Sequence, residues 1–116
     1  MITLSPNTKV YIHTGIIDFR KQIDGLCGIC KYELNKDPFS GAMFVFTNRS
    51  RNSLKIIFYD GQGFWCYHKR LSRGIFNWWP SGELCSEIAS RNLNVLIWNG
   101  NPIESKMQDD WRSIMT

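Results

Sequence analysis

Cys27 and Cys30 stand in a C-x-x-C spacing, the arrangement that half a zinc knuckle or a dithiol redox pair requires. A closed zinc site usually brings a second such pair, and the remaining cysteines, Cys66 and Cys85, are far apart in sequence. A thioredoxin-like pair follows a strand in a βαβ unit, whereas this pair lies inside an amphipathic segment. Reduced thiols packed as small hydrophobes are the expectation, with no metal, disulfide or cofactor. Asp18, Asp24 and Asp60 could supply the clustered carboxylates of two-metal phosphoryl chemistry. The spacing of Asp18 and Asp24 suits one helical face poorly. Asp18 fits a helix start and Asp60 fits a turn. His13 and His68 both fall in strand-like segments, and no G-x-S-x-G, P-loop or G-x-G-x-x-G is present. No catalytic residues are expected, and the chain is not read as an enzyme.

Positive charge is the stronger signal. Six of the 14 lysines and arginines lie between Thr47 and Arg73, namely Arg49, Arg51, Lys55, Lys69, Arg70 and Arg73, with Asp60 the only acid among them. Two aromatic, apolar segments in this stretch are joined by Asp60-Gly61-Gln62-Gly63, a hairpin turn. Pairing about that turn places Tyr59 opposite Phe64, Ile57 opposite Cys66 and Lys55 opposite His68. The cations then converge at the open end of the hairpin. Arginines beside aromatics can pair with phosphates and stack on bases. Cations also blunt sheet edges against aggregation, and composition alone does not separate the two readings. Arg20 and Lys21 join the candidate DNA-binding residues, and Trp78 and Trp79 are candidates for a protein interface.

These side chains need a scaffold. A chain of 116 residues with 43% apolar and 14% aromatic content is expected to form a single domain, 1–116, with an adequate core. No apolar run approaches the length of a membrane span, and the first residues lack the pattern of a secretory signal, so a cytoplasmic protein is expected. The net charge of +4 favours anionic partners. Residues 8–13 alternate as a strand. The segment from Asp18 to about Leu34 has helical spacing, with Phe19, Ile23, Leu26, Cys27, Cys30 and Leu34 on one stripe. Gly25 and Gly28 within it imply close packing against a sheet. Strands are expected over 42–47, 54–59 and 64–69, as an antiparallel meander, with a further short strand over 74–80. A helix follows from Ser90, closed by Gly100 and Pro102. Residues 101–116 form a C-terminal tail, docked or mobile. The expected fold is α+β, a single antiparallel sheet with helices packed on one face.

The ordered segments resemble a known family. Gly15 to Leu26, GIIDFRKQIDGL, is similar to that family's G-x-x-D-[MF]-R-K-x-x-D-G-L, and DPFSGAMFVFTNR (37–49), LKIIFYDGQGFWCYHKRL (54–71) and GIFNWWP (74–80) follow in the same order. The helix LNVLIWNG (93–100) resembles the end of some members. The family is the accessory protein of the insertion sequence 66 group, often called TnpB, encoded beside a separate transposase. The resemblance implies a role in DNA transposition; two readings follow, a protein that binds DNA, as at the element ends, through the basic end of the hairpin, and an assembly factor that contacts the transposase without significant DNA binding. It supplies no catalytic residues, because the acidic triad is expected in the transposase. Cys27 and Cys30 replace the alanine or valine common in the family, which argues further against a zinc or redox role.

Overall fold

A computed structural model describes residues 5–101 of the chain. Val10–Ile16 form β1, Ile23–Tyr32 form α1, and Met43–Thr47, Ser53–Tyr59 and Phe64–Arg70 form β2, β3 and β4. Cys85–Ile88 form β5 and Ser90–Ile97 form α2. The five strands make one sheet in the order β4-β3-β2-β1-β5. The α+β class holds, and β2, β3 and β4 are the expected antiparallel meander. The expected hairpin register is present, with Tyr59 opposite Phe64, Ile57 opposite Cys66 and Lys55 opposite His68.

The sheet is mixed rather than antiparallel throughout. β1 pairs in parallel with β2, Val10 opposite Met43 and Ile12 opposite Val45. Two parallel neighbours need a crossover long enough to carry the chain back, and α1 is that crossover. β5 closes the other side of β1 in antiparallel register, with Val10 opposite Ile88 and His13 opposite Cys85.

The helices lie on opposite faces, not on one. Successive strand residues point to opposite sides. Phe44, Phe46 and Ile57 face α1 and pack with Leu26, Ile29, Cys30 and Leu34. Met43, Val45, Leu54 and Ile56 face α2 and pack with Leu93, Leu96, Phe76 and Trp79. Two covered faces explain why every residue of β2 is buried. Each fully buried leucine, isoleucine or phenylalanine in these layers contributes about 1.5–3 kcal/mol.

Helix α1 begins at Ile23, five residues later than the spacing implied. Asp18 prevents the earlier start. Its carboxylate accepts the Arg20 backbone N–H at 2.9 Å while its own carbonyl accepts from Lys21 N–H at 3.0 Å, which closes a turn in place of the first helical turn. The two helical glycines do not touch the sheet. A side chain at Gly25 would first meet Lys21, at 3.1 Å, and one at Gly28 would meet nothing within 4 Å. The buried contact runs through Leu26, Ile29 and Cys30 instead, and Ile23 is only half-buried.

Residues 74–80 are not a strand. Their backbone is held by other partners: Phe76 N–H donates to the Arg51 carbonyl at 2.8 Å, and Asn77 N–H to Asn99 Oδ1 at 2.7 Å. Asn99 Nδ2 in turn donates to the Ile75 carbonyl at 3.0 Å. Asn99 adopts φ 64° just past α2, where its N–H and that of Gly100 return to Leu96 and Val95 as a Schellman cap. One asparagine thus ends a helix and fastens the segment that carries Phe76 and Trp79 into the core. The expected tail lies outside the described residues from position 102 onward. Among the described residues, no helix is long and apolar enough to cross a membrane.

Candidate nucleic-acid interface

The end of the sheet opposite the Asp60 turn gathers the loop after β1, the β2–β3 turn, and the end of β4. The β2–β3 turn is braced from within. Asn48 Nδ2 donates to Asn52 Oδ1 at 2.7 Å, Asn48 Oδ1 accepts from Ser53 N–H at 3.3 Å, and Thr47 Oγ1 donates to the Ser53 carbonyl at 3.0 Å. Arg51 takes φ 55° within it, a left-handed conformation stabilised by its N–H bond to the Asn48 carbonyl and by Phe76 bonding to its own carbonyl. Arg49 and Arg51 are therefore exposed on a turn whose backbone is fixed. Arg70 sits opposite Ser53 at the end of β4, and exposed Arg73 follows in the next loop.

The β1–α1 loop approaches the same turn. Ile16, Asp18, Arg20, Arg49 and Ser50 contribute to the walls of an open cleft of about 550 Å³ between them. Asp18 holds Arg20 through Nε and Nη2, the shortest contact being 2.6 Å. The hydrogen bonds from Arg20 lower the Asp18 carboxyl from 3.8 to about 2. The sign follows: whatever Asp18 contributes to stability is fully present above its unfolded value and is lost as pH falls through about 2. An NMR titration of the side-chain carboxyls should show Asp18 as the acid that protonates near pH 2, and Arg20→Gln should return its midpoint toward 3.8.

Two of the expected phosphate ligands are engaged elsewhere. Lys55 is buried, and its ammonium donates to the carbonyls of Phe19 and Lys21 at 2.9 and 3.0 Å while lying 5.0 Å from the Phe19 ring centre. Phe19 also meets His68 edge-on at 5.5 Å. Lys55 thus fastens the Asp18–Lys21 loop onto β3 from beneath and presents nothing to solvent. Burial and the nearby Lys55 and Arg70 charges push the His68 imidazole below its usual range. Lys69, expected to be free, is half-buried and donates to the Ile97 carbonyl at 2.7 Å, with its ammonium 4.5 Å from the Trp98 ring centre. It caps the C-terminus of α2, where a cation is favoured.

The tryptophan pair is not an exposed interface. Trp79 is buried, and its indole donates to the His13 carbonyl at 3.1 Å. Trp78 is half-buried against the α2-side core. The exposed aromatics among the described residues are Tyr32, Phe39, Trp65, Tyr67 and Trp98, none of them an expected site residue, and Trp65 and Tyr67 share the edge strand β4. Alternation along an edge strand, Trp65-x-Tyr67-x-Lys69, was the available signal. Burial pushes the Cys30 thiol up to about 12, so it is no nucleophile at neutral pH. Among the described residues no group of three or more potential ligands could hold a metal ion.

Residues 8–108 match the family described as IS66 Orf2 like protein. The chain belongs to that family. The uncharacterized protein y4hO of Sinorhizobium fredii is similar, 41% identical over 83 residues that cover 72% of this chain and 71% of that protein. The uncharacterized protein y4jC of the same organism is 28% identical over 97 residues, covering 84% and 83%. No solved structure matches. IS66 Orf2-like membership gives the chain a transposition-associated accessory role. In this chain Asp18-Phe19-Arg20 and Asn48-Arg49-Ser50, distant in sequence, form the two walls of one cleft.

Proposed function

We propose that this IS66 Orf2-like protein is a non-catalytic accessory factor that grips DNA backbone at the arginine-bearing end of its sheet, alongside the transposase of the same element. One observation carries the reading. Among the described residues, no carboxylate lies within ion-pair distance of Arg49, Arg51, Arg70 or Arg73, whereas Lys9, His13 and Arg20 each have one. Clustered cations without counter-charges repel one another, and a phosphate backbone relieves that repulsion. The braced Asn48–Asn52 turn adds preorganisation, since little backbone freedom is lost on binding. Arg20, across the cleft, and exposed Lys21 next to it extend the same surface.

The test is a salt titration of duplex DNA binding by the full chain. Four phosphate contacts give a slope of about −3.6 in log K against log salt, or about 150-fold between 50 and 200 mM. Negligible binding at low salt would instead favour a factor that contacts the transposase alone.

A further inference from the structure

Over Trp65 and Tyr67 the α2-facing side of β4 is uncovered. Trp65, Tyr67 and Lys69 alternate along it, and Phe58 of β3 lies beside the first two. The three rings are nearly parallel: Phe58 and Tyr67 are inclined by 15° at 5.8 Å, and Trp65 and Tyr67 by 10° at 6.2 Å. Trp65 is 52% exposed, Tyr67 37% and Trp98, at the end of α2, 69%. Helix α2 packs over β1, β2 and β3, and stops short of this strip. We infer that the strip takes unpaired bases, so that the DNA held by the arginine surface is single-stranded where it crosses β4. The inference rests on the phosphate-binding reading and specifies its ligand.

Three features favour an unpaired nucleic-acid strand over an apolar partner. First, the strip has a charge gradient. It runs from the Asp60 turn to Lys69, with Arg70 on the other face at the strand end and Arg73 in the loop beyond. A strand with bases on the rings has its phosphates drawn to the arginine end, where duplex-independent backbone contacts are available. Second, the Trp65 indole N–H is already satisfied by Asp60 Oδ2 at 2.8 Å. The ring is thereby held in place, and what it can still offer a ligand is its π face. Third, the strip borders a hollow of about 360 Å³ lined by Leu54, Ile56, Tyr67, Lys69, Asn94 and Trp98. Asn94, which also borders a cleft beside Pro6 and Arg91, has its Oδ1 buried without a hydrogen-bond partner. Stacking tolerates any base, because every base has a π face, so weak sequence preference is expected.

The experiment compares a labelled oligothymidylate with a duplex of equal length, using the full chain at fixed salt. The single strand should bind more tightly and quench tryptophan fluorescence. Trp65→Leu and Tyr67→Leu keep apolar area but remove the π face. Each should weaken single-strand binding roughly 5- to 150-fold and leave duplex binding within about twofold. Trp65→Phe should retain most of the affinity. Melting curves confirm that each variant is folded, and Tyr67→Leu stands in if Trp65→Leu is not. A single strand bound no better than duplex, or leucine variants that bind like the parent, would overturn the inference. So would a strip needed for transposase capture but not for oligonucleotide binding. A chain that binds duplex with an arginine-dependent salt slope yet ignores the aromatic changes leaves the phosphate surface standing and removes only the base contacts. A chain that binds neither nucleic acid removes both.

Discussion

Lys55→Met lowers the stability of the domain by about 3 kcal/mol, the loss expected when a buried ammonium no longer donates to two carbonyls. The lysine sits in a central strand between Phe46 and His68, under the loop that carries Asp18 to Lys21. Methionine fills much of the same volume, so the effect isolates the hydrogen bonds and the contact with the Phe19 ring from simple cavity formation. The carbonyls of Phe19 and Lys21 would be left to find water, and the Asp18–Lys21 loop would detach first. Urea titration measures the change, and amide exchange at residues 19–22 localises it. A variant as stable as the parent, but with a flatter DNA salt slope, would return Lys55 to the phosphate surface and refute its structural role.

Replacing Arg49, Arg51, Arg70 and Arg73 together with glutamine should bring the salt slope from about −3.6 to near zero. Each single replacement should flatten it by about 0.9. All four are exposed, so stability should stay within about 0.5 kcal/mol of the parent. Arg51→Gln retains a non-glycine residue at φ 55° and adds no new backbone strain. An unchanged slope would mean that the backbone contacts lie elsewhere, with Arg20 and Lys21 the next residues to test. The same variant assayed in transposition separates the two classes of role: full activity with abolished DNA binding supports assembly through protein contacts.

The meander was legible because Asp-Gly-Gln-Gly fixes a turn and the turn fixes the register of seven paired positions. The parallel pairing of β1 with β2 was also present in the sequence, as a helix between two strands, yet the alternation of the later strands outweighed it. The run Met43-Phe44-Val45-Phe46 has no polar alternation, which is what a strand covered on both faces shows. Reading it so would have placed the helices on opposite sides. For the site, the position of the basic end followed from antiparallel geometry. Which cations remain available did not, since Lys55 and Lys69 are engaged by carbonyls distant in sequence. Trp79 was misplaced for a similar reason: the partner of its indole is the backbone of His13, 66 positions earlier in the sequence.

The position of β5 has a kinetic consequence. β2, β3 and β4 are consecutive in sequence and can pair as soon as they are made, while β1 waits for the last strand to cover its outer edge. Contacts of such long sequence separation form late, because loop closure must precede the reward. Until residues 85–88 arrive, β1 is an open template for strands of other chains, the state most exposed to aggregation. The Trp79–His13 bond likewise joins residues 66 positions apart. Helix α2 follows β5 and packs Leu93 and Leu96 into the cluster that holds Trp79, so closure of this side of the sheet is expected after the meander has paired.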